Sequence, residues 1–167
     1  MHGMKQLGTL VLFVVASALM APAEDNLFRY NGNGHVYFTT GSCWHGYAIV
    51  GGGGGGEAFL WRGLALGGDV GYHQFVRDIG FGMATANVTY HFVNRNRPGK
   101  LDPFLGVSPV GVYFTRGGVG GAGGVAGLGG GLNYWFTEKI GLRSEARFQV
   151  LGVGEAVVLF RIGVSFR

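Results

Sequence analysis

Histidines, serines and a few carboxylates are the residues of this chain whose types permit chemistry. His35, His45, His73 and His91 all lie beyond an apolar N-terminal leader. A Ser-His-acid nucleophile needs a hydroxyl within reach of an imidazole that a carboxylate orients. Ser108, Ser144 and Ser165 are available, but none stands in a local Ser-His motif. Neither a His-x-x-x-His nor a Cys-x-x-Cys spacing occurs to hold a metal. Gly-x-Gly-x-x-Gly is found within the glycine runs, where composition alone produces it. Cys43 is the lone cysteine, which excludes an internal disulfide, and it reads as an incidental loop residue rather than a nucleophile. The sequence therefore predicts no catalytic residue, no cofactor and no metal ligand.

The charged residues are more telling in their phase than in their number. From Ile140 to Phe148, Leu142, Ser144, Ala146 and Phe148 share one face of an extended segment, while Arg143, Glu145 and Arg147 share the other. From Ala156 to Arg167, Val158, Phe160, Ile162, Val164 and Phe166 oppose Arg161, Gly163, Ser165 and Arg167, with Val157 and Leu159 on the latter face. From Leu64 to Phe75, Leu64, Leu66, Val70 and Tyr72 oppose Asp69 and His73. From Gly82 to Phe92, Ala84, Ala86, Val88, Tyr90 and Phe92 oppose Thr85, Asn87, Thr89 and His91. Alternation with period two is the mark of a strand with chemically distinct faces. Between Pro103 and Thr115 the same rule puts Phe104, Val110, Val112 and Phe114 together, opposite Leu105, Val107 and Tyr113. Three weaker strands, His35 to Gly41, Tyr47 to Leu60 and Gly123 to Trp135, bring the total to eight. Their glycines, including the unbroken run Gly51 to Gly56, are read as strand positions at which a missing side chain admits a large neighbour.

What must position these charges follows from composition. Charged residues are 13% of the chain and hydrophobic ones 47%, whereas a soluble domain carries about 25% charged residues. Much of the surface is thus expected to face something other than water. Glycine or a polar residue interrupts every apolar stretch after the leader, so no segment suits a membrane helix. Only a closed barrel then satisfies the backbone in lipid. The predicted fold is all-β, an antiparallel up-and-down transmembrane barrel of about eight strands in one domain, residues 24–167. Glu57, Asp69, Arg143, Glu145, Arg147 and Arg161 would face its lumen as a structural charge network, paired because buried charge demands it. Tyr72, Tyr90, Phe92, Phe104, Phe114, Tyr134, Phe136, Phe148 and Phe166 would form interfacial girdles on the lipid side. With both termini periplasmic, the periplasmic turns are 61–63, 93–102 and 136–139. The outer loops are then 42–46, 76–79, 116–122 and 149–155. A net charge of +4 from scattered basic residues, with one small cluster at Arg95, Arg97 and Lys100, gives no basic face for nucleic acid.

The leader itself reads as a secretory signal peptide, residues 1–23. Lys5 supplies a basic start, Leu7 to Met20 an apolar run, and Ala21-Pro22-Ala23 the small residues of a cleavage site. The apolar run is too short to span a bilayer as a helix.

From about Gly46 onward the chain resembles the outer-membrane protein β-barrel family, the OmpA/OmpX-like small barrels found as porin-family proteins. The stretches that carry this are Leu-Ala-Leu-Gly-Gly-Asp-Val-Gly-Tyr (64–72), Leu-Asp-Pro-Phe-Leu-Gly-Val-Ser-Pro-Val-Gly-Val (101–112), Gly-Gly-Gly-Leu-Asn-Tyr-Trp-Phe (129–136) and Ile-Gly-Leu-Arg-Ser-Glu-Ala-Arg (140–147). The end, Phe160 to Phe166, is similar to the strand that the barrel-assembly machinery recognises. The family pattern stops at the aromatic residue, whereas Arg167 follows here. The resemblance implies the outer membrane of a Gram-negative bacterium as location. It implies outer-membrane lipids and the assembly machinery as partners, with Phe166 as the C-terminal assembly signal. A non-enzymatic role in envelope structure or limited small-solute passage is the expected function. The alternatives are a membrane-embedded lipid-modifying hydrolase and a soluble periplasmic β-barrel carrier of an apolar ligand. The His-x-Ser-Asn signature of barrel deacylases is not matched, since His91-Phe92-Val93-Asn94 lacks the serine. The carrier would reverse the two faces. N-terminal sequencing of the exported protein should begin at or near Glu24, and recovery of intact Met1 from the envelope would refute the leader.

Overall fold

The computed structural model describes residues 32–61, 63–75, 80–92, 100–116, 122–152 and 154–167, and for residues 113–116, 122 and 123 only the backbone. The leader with its cleavage site, the outer loop 76–79 and most of the connections 93–102 and 116–122 lie outside these residues. Eight strands account for nearly everything described: β1 (Gly32–Cys43), β2 (Ala48–Trp61), β3 (Leu64–Phe75), β4 (Gly80–His91), β5 (Leu101–Arg116), β6 (Ala122–Trp135), β7 (Ile140–Leu151) and β8 (Ala156–Phe166). Each pairs antiparallel with its neighbour in sequence, and β8 returns to β1 to close the barrel. The closing register runs from Gly34 opposite Phe166 to Cys43 opposite Val157. Closure removes every sheet edge, so the ladder bonds of all eight strands are made within the molecule. One end of the barrel carries Gly32 and Arg167 and is called the terminal end below; the other is the far end.

Period-two alternation assigns the faces. In β7, Arg143, Glu145, Arg147 and Gln149 are buried while Leu142, Ser144, Ala146 and Phe148 are exposed, without a break. β8 alternates likewise, with Phe160 57% and Ile162 54% exposed and Arg161 buried. The exterior is therefore an apolar wall that includes Val36, Phe38, Leu66, Val70, Leu128 and Val164. Aromatic residues gather at its two rims. Trp61, Tyr134, Phe136 and Phe166 lie at the terminal end, and Trp44, Tyr47 and Tyr72 at the far end. Tyr90 packs edge-on against Phe92, and Tyr134 against Phe136, with ring centroids 4.9 and 5.2 Å apart.

The glycine run of β2 serves both faces. Gly51, Gly53 and Gly55 share the inward phase of Glu57, and bulky side chains of β1 and β3 lie over them. A Cβ at Gly51 would stand 2.6 Å from His73 Nδ1, one at Gly53 2.7 Å from the Tyr37 hydroxyl, and one at Gly55 2.6 Å from Asp69 Oδ1. The missing side chains are what let Tyr37, Asp69 and His73 fit in so narrow a tube. The tight connections use positive-φ glycine where other residues are strained: Gly63 has φ 84° between β2 and β3, and Gly154 has φ 85° between β7 and β8.

β5 corrects two expectations. Ala86 pairs with Val110 but Val88 pairs with Val107, so Ser108 and Pro109 together oppose the single residue Asn87. The same extra residue appears against β6 between Ser108 and Val112. This is a β-bulge, and Pro109, which has no N–H to give a ladder, sits in it. The bulge shifts the phase of the strand. Phe104, expected among the lipid-facing aromatics, points inward and is 2% exposed, while Val107 faces outward with Val110 and Val112. Asp102, expected in a turn, belongs to β5 and is buried. The side chains of Tyr113 and Phe114 lie outside the described residues.

The interior is filled in two unlike zones. The far end is apolar: Cys43, Ile49, Phe81, Met83, Val125, Leu151, Val157 and Leu159 form one cluster, with Phe75 against it. From the middle to the terminal end the lumen is polar and charged. An Arg placed at mid-membrane on such a wall costs about 2–4 kcal/mol. Phe160→Arg or Ile162→Arg should lower the stability of the barrel in lipid vesicles by that amount, read from denaturant unfolding, and wild-type stability in either variant would refute a lipid-facing wall.

Candidate functional site: the charged lumen

The six charged residues singled out in the sequence, Glu57, Asp69, Arg143, Glu145, Arg147 and Arg161, come from four different strands and are all buried inside the barrel. Alternation turns each inward, and closure brings β2 and β3 across from β7 and β8. Their chain of contacts alternates in sign. Arg143 lies 3.3 Å from Glu57 and 3.4 Å from Glu145. Glu145 also accepts a short hydrogen bond from Arg147 Nε. Arg147 reaches Asp69 at 2.7 Å, and Arg161 ends the chain 3.7 Å from the same carboxylate. Three carboxylates thus face three guanidiniums. Buried charges of this kind are tolerable only when each has a partner and its remaining polar atoms are hydrogen-bonded.

Neutral side chains meet most of that second requirement. Asp69 accepts from His35 Nε2 at 2.7 Å and from the amide of Asn87. Asn87 in turn accepts from Ser108 Oγ at 2.7 Å and from Arg147 NH1 at 3.4 Å. Glu57 accepts from the Thr89 hydroxyl at 2.6 Å. The guanidiniums also lie over aromatic faces, Arg143 3.9 Å from the Phe104 ring centre and Arg161 4.3 Å from that of Tyr37. A cation over a ring face is stabilised by the ring quadrupole, more so when desolvated. The inward turn of Phe104 at the bulge therefore provides Arg143 with its platform.

A second carboxylate centre was not read from the sequence. Asp102 accepts from His91 Nδ1 at 2.8 Å, from the Asn133 amide at 3.1 Å and from the Trp135 indole at 3.4 Å. The other nitrogen of His91 is 3.2 Å from Glu57, outside hydrogen-bond alignment, and links the two centres. His91 stacks on Phe104 and meets Phe59 edge-on. Arg167, the residue that departs from the family pattern, packs 3.8 Å from the Trp135 ring centre and lies 3.8 Å from Asp102, over the terminal mouth. The signal for His91 and Asn87 was present in the clean alternation of β4. Asp102 was hidden because it follows the turn-like run Asn-Arg-Asn-Arg-Pro-Gly-Lys.

Nothing in this arrangement assembles a nucleophile among the described residues. Ser108 donates to Asn87, Ser165 donates to Asn133 at 3.2 Å, and Ser144 faces outward. The described residues hold no group of three metal-ligating side chains. The polarity is also opposite to that of a soluble carrier. Arg143 and Arg147 are 2% and 5% exposed, while Phe160, which a carrier would turn toward its ligand, is on the outside.

No protein-family model matches the sequence, and no curated protein matches it. Solved structures do match. Neisserial surface protein A is 14% identical with a TM-score of 0.62, over 81% of this chain and 94% of that one. The N-terminal β-barrel domain of Pseudomonas aeruginosa OprF is 21% identical with a TM-score of 0.57, over 81% and 98%. The outer membrane enzyme PagL is 12% identical with a TM-score of 0.56, over 80% and 99%. The fold is that of the small eight-stranded outer-membrane barrels. One of these three neighbours is an enzyme, so the shared fold does not by itself decide activity.

Removing one partner from a buried pair leaves a stranded charge and costs about 3–5 kcal/mol. Glu145→Gln, which leaves the three guanidiniums of Arg143, Arg147 and Arg161 against the two carboxylates of Glu57 and Asp69, should show a loss of that size in denaturant unfolding in lipid. Glu155→Gln breaks only the exposed pair with His45 and should cost about 0–1 kcal/mol. Equal losses in the two variants would refute the network.

Proposed function

We propose that the chain is an integral barrel of the Gram-negative outer membrane with a non-enzymatic, envelope-structural role. The observation that carries this is the inversion of polarity: large apolar side chains cover the outside while arginines, carboxylates and histidines are buried within. In water that arrangement would expose a continuous apolar wall and bury charge to no purpose. In lipid the wall is solvated by acyl chains, and the charges are held where a narrow barrel needs packing. The lumen charges act structurally, locking β2, β3, β7 and β8 across the tube. Their contacts tie β7 to β2 and β3 from inside the tube, which favours a structural role. Among the described residues no serine hydrogen-bonds a histidine: Ser165, opposite His35 in the β1–β8 ladder, donates to Asn133 instead, which favours a non-enzymatic role over a hydrolase.

In this reading residues 1–23 direct export and are removed, and the terminal end is periplasmic. Phe166, 48% exposed at that rim, is the C-terminal signal read by the barrel-assembly machinery. Arg167 does not block it, because its side chain turns to Trp135 and Asp102 and leaves the Phe166 ring outside.

Envelope fractionation tests the assignment. The protein should sediment with outer membranes and migrate faster on a gel unheated than boiled, because a closed barrel stays folded in detergent. Recovery in the soluble periplasmic fraction would overturn it. Phe166→Asp should reduce outer-membrane levels and increase periplasmic degradation, and unchanged levels would remove Phe166 as the signal.

A further inference from the structure

The two zones of the lumen differ in how they oppose water. The polar zone is continuous from the terminal mouth. Asp102, His91, Glu57, Arg143, Glu145, Arg147, Asp69 and Arg161 follow one another at contact distances. Several links are loose, at 3.2 to 3.7 Å, and all join groups that water can bridge. Beyond Arg161 comes a layer of buried polar atoms with no hydrogen-bond partner among the described residues. It includes the Thr39 hydroxyl, both ring nitrogens of His73, both amide atoms of Gln149 and the three guanidinium nitrogens of Arg161. Thr39 pairs in register with Gly51 and with Arg161, and Gly51 with His73, which puts Arg161 of β8, Thr39 of β1 and His73 of β3 in one row of ladder partners. Buried polar groups without protein partners are groups that water must serve. Hydration is therefore required up to this layer.

Toward the far end the chemistry changes: Phe81 pairs with His73 and Val157 with Gln149, and around and beyond them Cys43, Ile49, Val125 and Leu151 complete a set of apolar side chains, each at most 8% exposed. The inward positions that end β1, β2, β3, β4, β6, β7 and β8 all belong to this cluster or pack against it. A narrow apolar constriction bars ions by dewetting, since an ion entering it must give up its water and receives nothing in exchange.

We propose that this far-end plug, and not the ion-pair network, is the barrier that keeps the lumen from conducting: a hydrophobic gate held shut across a polar path that is otherwise continuous. The inference rests on the membrane-barrel reading above. It assigns the two zones separate tasks, the network holding the strands together and the plug excluding ions.

The test is ion current across planar bilayers in potassium chloride. Wild-type protein should be silent. The double variant Phe81→Ser and Leu159→Ser, which wets the plug, should give discrete conductance steps. Glu145→Gln with Arg147→Gln, which neutralises a pair without opening the plug, should stay silent. The gate is overturned if the serine variant is silent while its heat shift on gels shows an intact barrel, if wild type conducts steadily, or if the neutralised pair conducts as well as the serine variant. Cys43 offers a readout that needs no substitution, because it lies in the plug. A membrane-impermeant maleimide should label it at least about 10-fold more slowly in the folded wild type than in urea, since reaction must await local opening. Equal rates would show a wet plug and overturn the proposal even if the serine variant fails to fold. Loss of the heat shift in wild type would instead overturn the membrane barrel itself.

Discussion

Every other feature of this structure depends on the backbone being unable to hydrogen-bond to hydrocarbon. In lipid an unpaired N–H or C=O costs several kcal/mol, so a sheet in that setting must have no edge. The pairing of β8 with β1 meets this requirement, and with eight strands it produces a tube just wide enough for side chains to fill. The narrowness then dictates the glycines. Tyr37, Asp69 and His73 need the space that Gly51, Gly53 and Gly55 leave. A side chain at any of the three would collide with them. Glycine is a poor strand former, and its use here shows that lumen volume outweighed strand propensity.

Filling that volume with charge looks wasteful beside an apolar core, since replacing buried ion pairs with hydrophobic residues is often neutral or stabilising. The structure offers a reason for the choice. Apolar side chains on both faces would leave no difference between inside and outside, and register in a sheet is set by that difference. Arg143, Glu145 and Arg147 each need a partner at a defined height across the barrel. A slip of one residue in β7 would turn all three toward lipid. The network therefore penalises misregistration strongly, whatever its net effect on stability. The bulge at Pro109 extends this logic, because it lets one strand put Phe104 under Arg143 and still keep Val110 and Val112 on the wall.

The barrel is also polar in one direction along its axis. The buried charged side chains lie toward the terminal end, and an apolar cluster bordered by His73 and Gln149 occupies the far end. Packing alone does not require this, since an apolar filling throughout would serve. The segregation separates a zone whose groups hold the strands to one another from a zone that excludes water.

The sequence alone determined the strands and, for β3, β4, β7 and β8, the meaning of their phase. These were legible because alternation is a local property, visible in a segment whose two faces meet different surroundings, whereas the glycines of β2 and β6 carry no side chains to alternate. That is why Arg143, Glu145, Arg147, Asp69 and Arg161 could be assigned to the lumen before any partner was known. Tertiary structure decided which charges meet. Glu57 and Arg143 are far apart in the chain and become neighbours only when the sheet closes. It also decided where alternation fails. A bulge adds one residue whose effect depends on the register of the strands on either side, so Phe104 read as lipid-facing although it lies inside. Asp102 was lost for a related reason, because the residues before it have the composition of a turn and nothing local marks the point at which β5 begins. The apolar plug was the least legible. Its members are one or two residues near the ends of seven strands, each unremarkable where it stands, and only closure of the barrel brings them together.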